Sequence, residues 1–195
     1  MQEALRTLGH LRSPADGDFG PQTRAAISQF QGFANEPESG QLSEQERGQL
    51  LDMAGRLTVL IEAPAVSPKG VAAASLRTAA QRLSRAASSA AAGDRAEAAY
   101  WYRLAAADGE AKALTNLGTL LVRGLGADKP DDAAARLLWL TAAARGEPIA
   151  MFNLGAMYER GIGVGSDPAI ARKWYERAAA RGHREAREAL ARLKP

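Results

Sequence analysis

Few side chains in this 195-residue chain can carry chemistry, and their spacing argues against most reactions. The two histidines, His10 and His183, stand near opposite ends, so no pair shares a helix face to hold zinc, and no His-Glu-x-x-His pattern occurs. The cysteine count is zero, which removes thiolate nucleophiles, thiolate zinc sites and disulfides while leaving the compartment open. Asp16 with Asp18, or Asp131 with Asp132, could be read as acid/base pairs. Both fall instead on expected turns and helix starts, where free N–H groups and the helix dipole favour carboxylates. Gly161-Ile162-Gly163-Val164-Gly165 has the glycines of a phosphate loop but no following Lys-Ser/Thr and no preceding strand, and there is no Gly-x-Ser-x-Gly elbow. The patterns predict no catalytic residue, no metal site and no cofactor.

The elements that must position the remaining polar groups are helical. Of the residues, 46% are apolar and 43 are Ala, the best helix former and the smallest apolar side chain, whereas aromatics reach only 6%. No stretch shows sustained alternation, so the expected class is all-α with closely packed helices. No apolar run approaches the ~18 residues of a membrane span, so no membrane insertion is expected of this segment. The net charge of +3 is uneven, −3 over residues 1–61 and +6 over 62–195, as if two modules were joined. Between them, Glu62-Ala63-Pro64-Ala65-Val66-Ser67-Pro68-Lys69-Gly70 disfavours helix, giving expected domains at 1–61 and 72–195 with a linker at 62–71. Residues 172–194 carry Arg172, Lys173, Arg177, Arg181, Arg184, Arg187, Arg192 and Lys194 against Glu176, Glu185 and Glu188. Such a face is most simply a solvated one, and no nucleic-acid module accompanies it, so nucleic acid is not an expected partner.

Upstream of the linker, Met1–Leu11 reads as a short helix with Leu5 and Leu8 inward, ended by Gly9, followed by a turn at Asp16-Gly17-Asp18-Phe19-Gly20. Pro21 suits a first helical position, and Thr23, Ala26, Ile27 and Phe30 form an i, i+3, i+4, i+7 stripe. Ser43-Glu44-Gln45-Glu46 has capping-box spacing, with Leu50, Leu51, Ala54 and Leu57 as the apolar face of a third helix. Phe19 and Phe30 are expected to plug the small core, and Gly17 and Gly20 to take conformations closed to other residues.

This region, roughly residues 1–60, resembles the three-helix peptidoglycan-binding domain of bacterial cell-wall hydrolases, whose hallmark is a DGxFGxxT turn and a helix ending FQ. The matching residues are Asp16-Gly17-Asp18-Phe19-Gly20-Pro21-Gln22-Thr23 and Phe30-Gln31, with Gln2, Leu5, Leu8 and Gly9 upstream and Gly40-Gln41-Leu42-Ser43 downstream. The first helix lacks the family's usual opening turn. The resemblance implies that a stem peptide or glycan of the wall is held beside the turn, by Asp16, Asp18, Phe19, Gln22, Arg24 and Gln31. The same small fold serves elsewhere as a prodomain or docking module, so the fold alone does not secure wall binding.

The second half repeats. Ala106-Ala107-Asp108-Gly109 recurs as Ala143-Ala144-Arg145-Gly146 and Ala179-Ala180-Arg181-Gly182, at offsets of 37 and 36 residues. Asn116-Leu117-Gly118 returns as Asn153-Leu154-Gly155, Gly124-Leu125-Gly126 returns as Gly161-Ile162-Gly163, and Trp101, Trp139 and Trp174 are expected to share one repeat position. Each unit then reads as a helical hairpin whose second helix stops at the Ala-Ala-x-Gly signal. The units resemble Sel1-like repeats, a solenoid family related to tetratricopeptide repeats. The fit is best over 147–182, modest over 110–146, where Leu121 and Leu140 replace tyrosines, and degenerate over 72–109, with a terminal helix at 183–194. The tryptophans read as core rather than as a stacking platform for sugar or single strands. The resemblance implies binding on the concave face, with Asn116, Thr119, Arg123, Asn153, Tyr158 and Arg160 as the groove candidates.

Together the resemblances imply a non-catalytic bacterial cell-envelope adaptor that binds peptidoglycan through its first domain and an unidentified protein through its repeats. The start, Met1-Gln2-Glu3-Ala4-Leu5-Arg6, lacks the basic start and apolar core of a secretory signal, so a piece of a longer or trimmed chain in the periplasm or envelope is expected. Two alternatives stay open: the targeting or regulatory tail of a larger enzyme, such as a wall hydrolase or caspase-like peptidase, and a cytoplasmic protein-binding scaffold.

Overall fold

The computed structural model describes residues 1–15, 17–63, 69–70, 76, 78–124 and 129–193. Asp16, most of the 62–71 linker, the first residues of the 72–109 copy, Leu125 and Gly126 of the first G-x-G, and Lys194 lie outside the described residues. Among those described there are ten α-helices and no strand, in two compact units, Met1–Val59 and Leu60–Pro195.

The first unit is built from α1 (Gln2–Thr7), α2 (Pro21–Ala34) and α3, which starts at Glu44 and runs to Ile61. Pro21 occupies the first turn of α2, where its missing N–H costs nothing, and the cap residue at the far end, Asn35, is left-handed at φ 62°. At the start of α3, the Glu46 N–H donates to Ser43 Oγ at 3.2 Å and the Ser43 N–H donates to Glu46 Oε2 at 2.7 Å, a complete capping box. The Ser43 hydroxyl, donating to Glu46 Oε2 at 2.7 Å, then Gln31 Nε2, donating to Oε1 at 2.8 Å, and the Ser43 N–H hold the Glu46 carboxyl below its usual range. Leu5, Leu8, Leu11, Ile27, Phe30, Leu50 and Leu57 are buried, each large side chain contributing about 1.5–3 kcal/mol.

Three expectations need correction. Leu51 is 51% exposed, because α3 turns only the Leu50, Ala54 and Leu57 line inward. Phe19 is 54% exposed and plugs nothing; Phe30 alone fills that role. Gly17 is left-handed at φ 86°, but Gly20 sits at φ −78°, ψ −175°, an extended conformation open to any residue.

The second unit stacks three antiparallel hairpins and a last helix: α4 (Ala79–Ala91) with α5 (Arg95–Ala107), α6 (Ala111–Val122) with α7 (Asp132–Ala144), α8 (Pro148–Arg160) with α9 (Pro168–Ala180), then α10 (Arg184–Arg192) on α9. Neighbouring hairpins touch through α5 with α6 and α7 with α8. The second helices share an acid cap: Asp94, Asp131 and Asp167 accept from Glu97 N, Ala134 N and Ala169 and Ile170 N. After them, Gly109, Gly146 and Gly182 adopt φ of +94°, +93° and +87°, the left-handed turn that the Ala-Ala-x-Gly signal anticipates.

Inside the stack, Trp101, Trp139 and Trp174 are 0%, 6% and 2% exposed. They do not share one position, however. Counted from the helix starts, Trp139 in α7 matches Tyr175 in α9 and Tyr102 in α5, while Trp101 and Trp174 match Leu138. Packing agrees, since Trp139 lies over Gly118 and Tyr175 over the equivalent Gly155.

Candidate functional site

Each unit presents a concavity that gathers residues of the sequence motifs. In the first unit the DGDFG turn is fastened by Gln2, which is 7% exposed. Its Oε1 accepts from Gly17 N at 2.8 Å, and its Nε2 donates to Asp18 O at 2.9 Å and Thr23 Oγ1 at 3.1 Å. Thr23 Oγ1 donates in turn to Asp18 O at 3.1 Å. Neutral hydrogen bonds from Gln2 and Thr23 thus fasten Gly17 and Asp18, and Phe19 beside them is turned outward.

Phe19 then forms one wall of a pocket of about 390 Å³ with Met1, Arg24, Ile27, Gly40, Gln41, Leu42 and Arg47. Arg24 reaches back to Phe19 O through Nη2 at 3.4 Å. Among the described residues neither Arg24 nor Arg47 takes part in an ion pair and no acid lines the pocket. The arrangement offers an apolar wall and two guanidinium groups, which suits a ligand carrying carboxylates beside aliphatic carbon.

Of the sequence-derived candidates, the structure brings Phe19 and Arg24 to this pocket. Asp18 and Gln22 are exposed but off its lining, and Asp16 is outside the described residues. Gln31 is corrected: at 1% exposure it is no surface contact. Its Nε2 donates to Gln41 O and Glu46 Oε1, both at 2.8 Å, and its Oε1 accepts from Gly40 N at 3.0 Å. Gln31 therefore shapes the 40–42 loop that forms the pocket's far side. Arg47, Gln41 and Leu42 were missed as site residues. The loop was legible only as a turn, and Arg47 sits on a helix face that periodicity alone leaves to solvent.

In the second unit a smaller concavity of about 190 Å³ is lined by Thr119, Val122, Arg123, Trp139, Asn153, Ala156, Met157, Arg160 and Ile162. Thr119, Arg123, Asn153 and Arg160, all groove candidates, meet here. Asn116 does not, being bonded to the Tyr102 phenol, whose pKa burial raises and that bond partly lowers. Tyr158 is half-buried and also off the lining. Thr119 Oγ1 donates to Thr115 O at 3.0 Å, and Trp139 Nε1 donates to the same carbonyl at 3.0 Å, so the wall behind the groove is rigidly bonded.

His10 and His183 both have structural surroundings. His10 Nδ1 lies 3.2 Å from Gln29 Oε1, with its ring edge-on to Phe30 and Phe33, and burial lowers its pKa to about 4. His183 Nδ1 accepts from Ala186 N at 3.3 Å to cap α10, and its ring stacks on Phe152 at 4.7 Å. Among the described residues no His, Asp or Glu cluster could hold a metal, and no helix is long and apolar enough to cross a membrane.

Comparison with known proteins agrees with both halves. The family model described as "Putative peptidoglycan binding domain" matches residues 1–50, and the Sel1 repeat model matches residues 89–110, 111–147 and 148–183. The crystal structure of a Sel1 repeat protein from Oxalobacter formigenes superposes with a TM-score of 0.52 at 22% identity, over 97% of this chain and 70% of that one, a likeness of fold. Among curated proteins, none matches the chain. The chain carries a peptidoglycan-binding-type domain over residues 1–50 followed by three Sel1 repeats over residues 89–183, both of them non-catalytic binding modules.

Proposed function

We propose that the chain is a non-catalytic adaptor of the bacterial cell envelope. The first unit attaches to peptidoglycan through the Phe19 pocket, and the repeats hold a partner protein in the α6–α8 groove. The carrying observation is Phe19 itself, an aromatic 54% exposed on a turn clasped by Gln2, beside two arginines that form no ion pair among the described residues. A buried role would have hidden it, and an idle one would not require the Gln2 clasp. Stem peptides of the wall combine aliphatic side chains with free carboxylates, the chemistry this pocket complements. Envelope or periplasmic residence follows from that ligand.

Titration of the isotopically labelled chain with soluble stem-peptide fragments tests the reading. Shifts are expected at Phe19, Arg24, Gln41 and Arg47 backbone amides; shifts absent there, or confined to the repeats, would remove it.

A further inference from the structure

Arg123 and Arg160 hold the same place in successive repeats, 37 residues apart, and both are exposed at the rim of one concavity. From this juxtaposition we infer that the groove recognises an acidic peptide segment in which an apolar side chain lies between carboxylates. The inference rests on the groove reading above and adds the chemistry of the occupant.

Charge complementarity carries it. None of the nine residues lining the concavity is acidic, and neither arginine belongs to an ion pair among the described residues. The acid next to Arg160 in sequence is already engaged: Glu159 Oε2 accepts from the Tyr175 hydroxyl at 2.6 Å, and its Oε1 faces Arg192 at 3.9 Å. Burial, then that hydrogen bond, pushes the Tyr175 phenol well above its ordinary pKa, so the hydroxyl stays a donor at neutral pH. On the other side, the Asp131 carboxylate accepts from Ala134 N at 2.9 Å. Two guanidinium groups with no ion pair among the described residues thus stand exposed at the rim of a floor made of Val122, Ala156, Met157 and Ile162.

Size and polarity narrow the occupant further. A volume of about 190 Å³ is below the roughly 300–1,000 Å³ of small-molecule sites, and fits one aliphatic side chain with its neighbours resting on the rim. Asn153 supplies an amide that can both donate to and accept from an extended backbone, and the Thr119 oxygen keeps free lone pairs because its proton is committed to Thr115 O. Guanidinium groups at either end favour planar carboxylates held in bidentate fashion. A single strand held by base stacking would require an exposed ring, and the one aromatic ring on this lining, Trp139, is 6% exposed.

Binding of a dye-labelled peptide alternating aspartate and leucine to the 195-residue chain, followed by fluorescence anisotropy, tests this. The comparison probes are the same peptide with serine for aspartate and a labelled single-stranded oligonucleotide. The acidic peptide is expected to bind tightest and to weaken with salt, and Arg123→Glu combined with Arg160→Glu to raise its Kd at least about tenfold. Both positions are exposed, and circular dichroism should show unchanged helix content. Ala156→Trp, which fills the floor, should weaken binding as well. The inference is overturned if the acidic peptide does not bind, binds no tighter than the serine version, or survives the double reversal, or if the oligonucleotide binds with equal dependence on both arginines. If the serine peptide binds and Ala156→Trp alone weakens it, the groove stands and only its acidic preference fails. If Ala156→Trp also changes nothing, the groove assignment falls too.

Discussion

Tyr175 leaves no room for a side chain on Gly155: a Cβ there would stand 2.5 Å from its ring carbon Cε1. The equivalent Cβ on Gly118 would stand 2.7 Å from Trp139 Nε1, so in both hairpins the first helix presses bare backbone onto an aromatic ring of the second. Gly155→Ala is therefore expected to destabilise the repeat unit by about 1–3 kcal/mol through overpacking. Gly165→Ala, where a Cβ meets nothing within 4 Å, should change stability by less than about 0.5 kcal/mol. Urea unfolding followed by tryptophan fluorescence checks both.

A second test concerns a buried carboxylate. Glu97 is 0% exposed; its Oε1 accepts from Trp101 Nε1 at 2.6 Å and its Oε2 from Lys69 N at 3.2 Å. Trp101→Phe keeps an aromatic ring but removes one donor, and the carboxylate left short of a partner should cost about 1–3 kcal/mol. Trp101→Phe with Glu97→Leu should recover part of that loss, which a double-mutant cycle measures.

Acid should loosen the first unit in a defined window. Burial lowers the His10 pKa from 6.5 to about 4, against a smaller opposing effect of Gln29. Between those values the unfolded chain binds a proton that the folded one refuses, so stability rises with pH from about 4 to 6.5 and is flat above. The slope is at most about 1.4 kcal/mol per pH unit. Unfolding midpoints measured across that range should lose this dependence in His10→Phe, whose ring keeps the packing against Phe30 and Phe33.

Gln31→Leu separates shaping from contact. Its amide holds Gly40 N, Gln41 O and Glu46, so the variant should lose about 1–3 kcal/mol and loosen the 40–42 loop. Hydrogen exchange at Gly40 and Gln41 should rise more than at Leu50. A direct ligand contact would predict weaker binding with unchanged stability.

Local chemistry was the legible part of this chain. Pro21 at a helix start, the Ser43 to Glu46 box and the glycines after Ala-Ala-x act within a few residues, so spacing alone locates them. Side-chain burial in the first unit was less legible, because it depends on which neighbours arrive. Phe19 looked like core from its type, yet the Gln2 clasp turns it out; Gln31 looked like surface from its type, yet its four-way bonding draws it in. Repeat offsets of 37 and 36 located the hairpins, but matching tryptophan to tryptophan shifted Trp139 by one residue, since the ring that covers the glycine is Trp in one copy and Tyr in the next. Half of the Phe19 pocket comes from Gly40, Gln41, Leu42 and Arg47, which only the fold brings to the turn.

The central claim is attachment to the wall, and co-sedimentation with purified insoluble peptidoglycan tests it most directly. The intact chain should pellet with the wall, and Phe19→Ala combined with Arg47→Glu should remain in the supernatant while keeping its helix content, because both side chains are exposed at the pocket. An intact chain that stays soluble, or a double variant that pellets as well as the parent, would contradict the account.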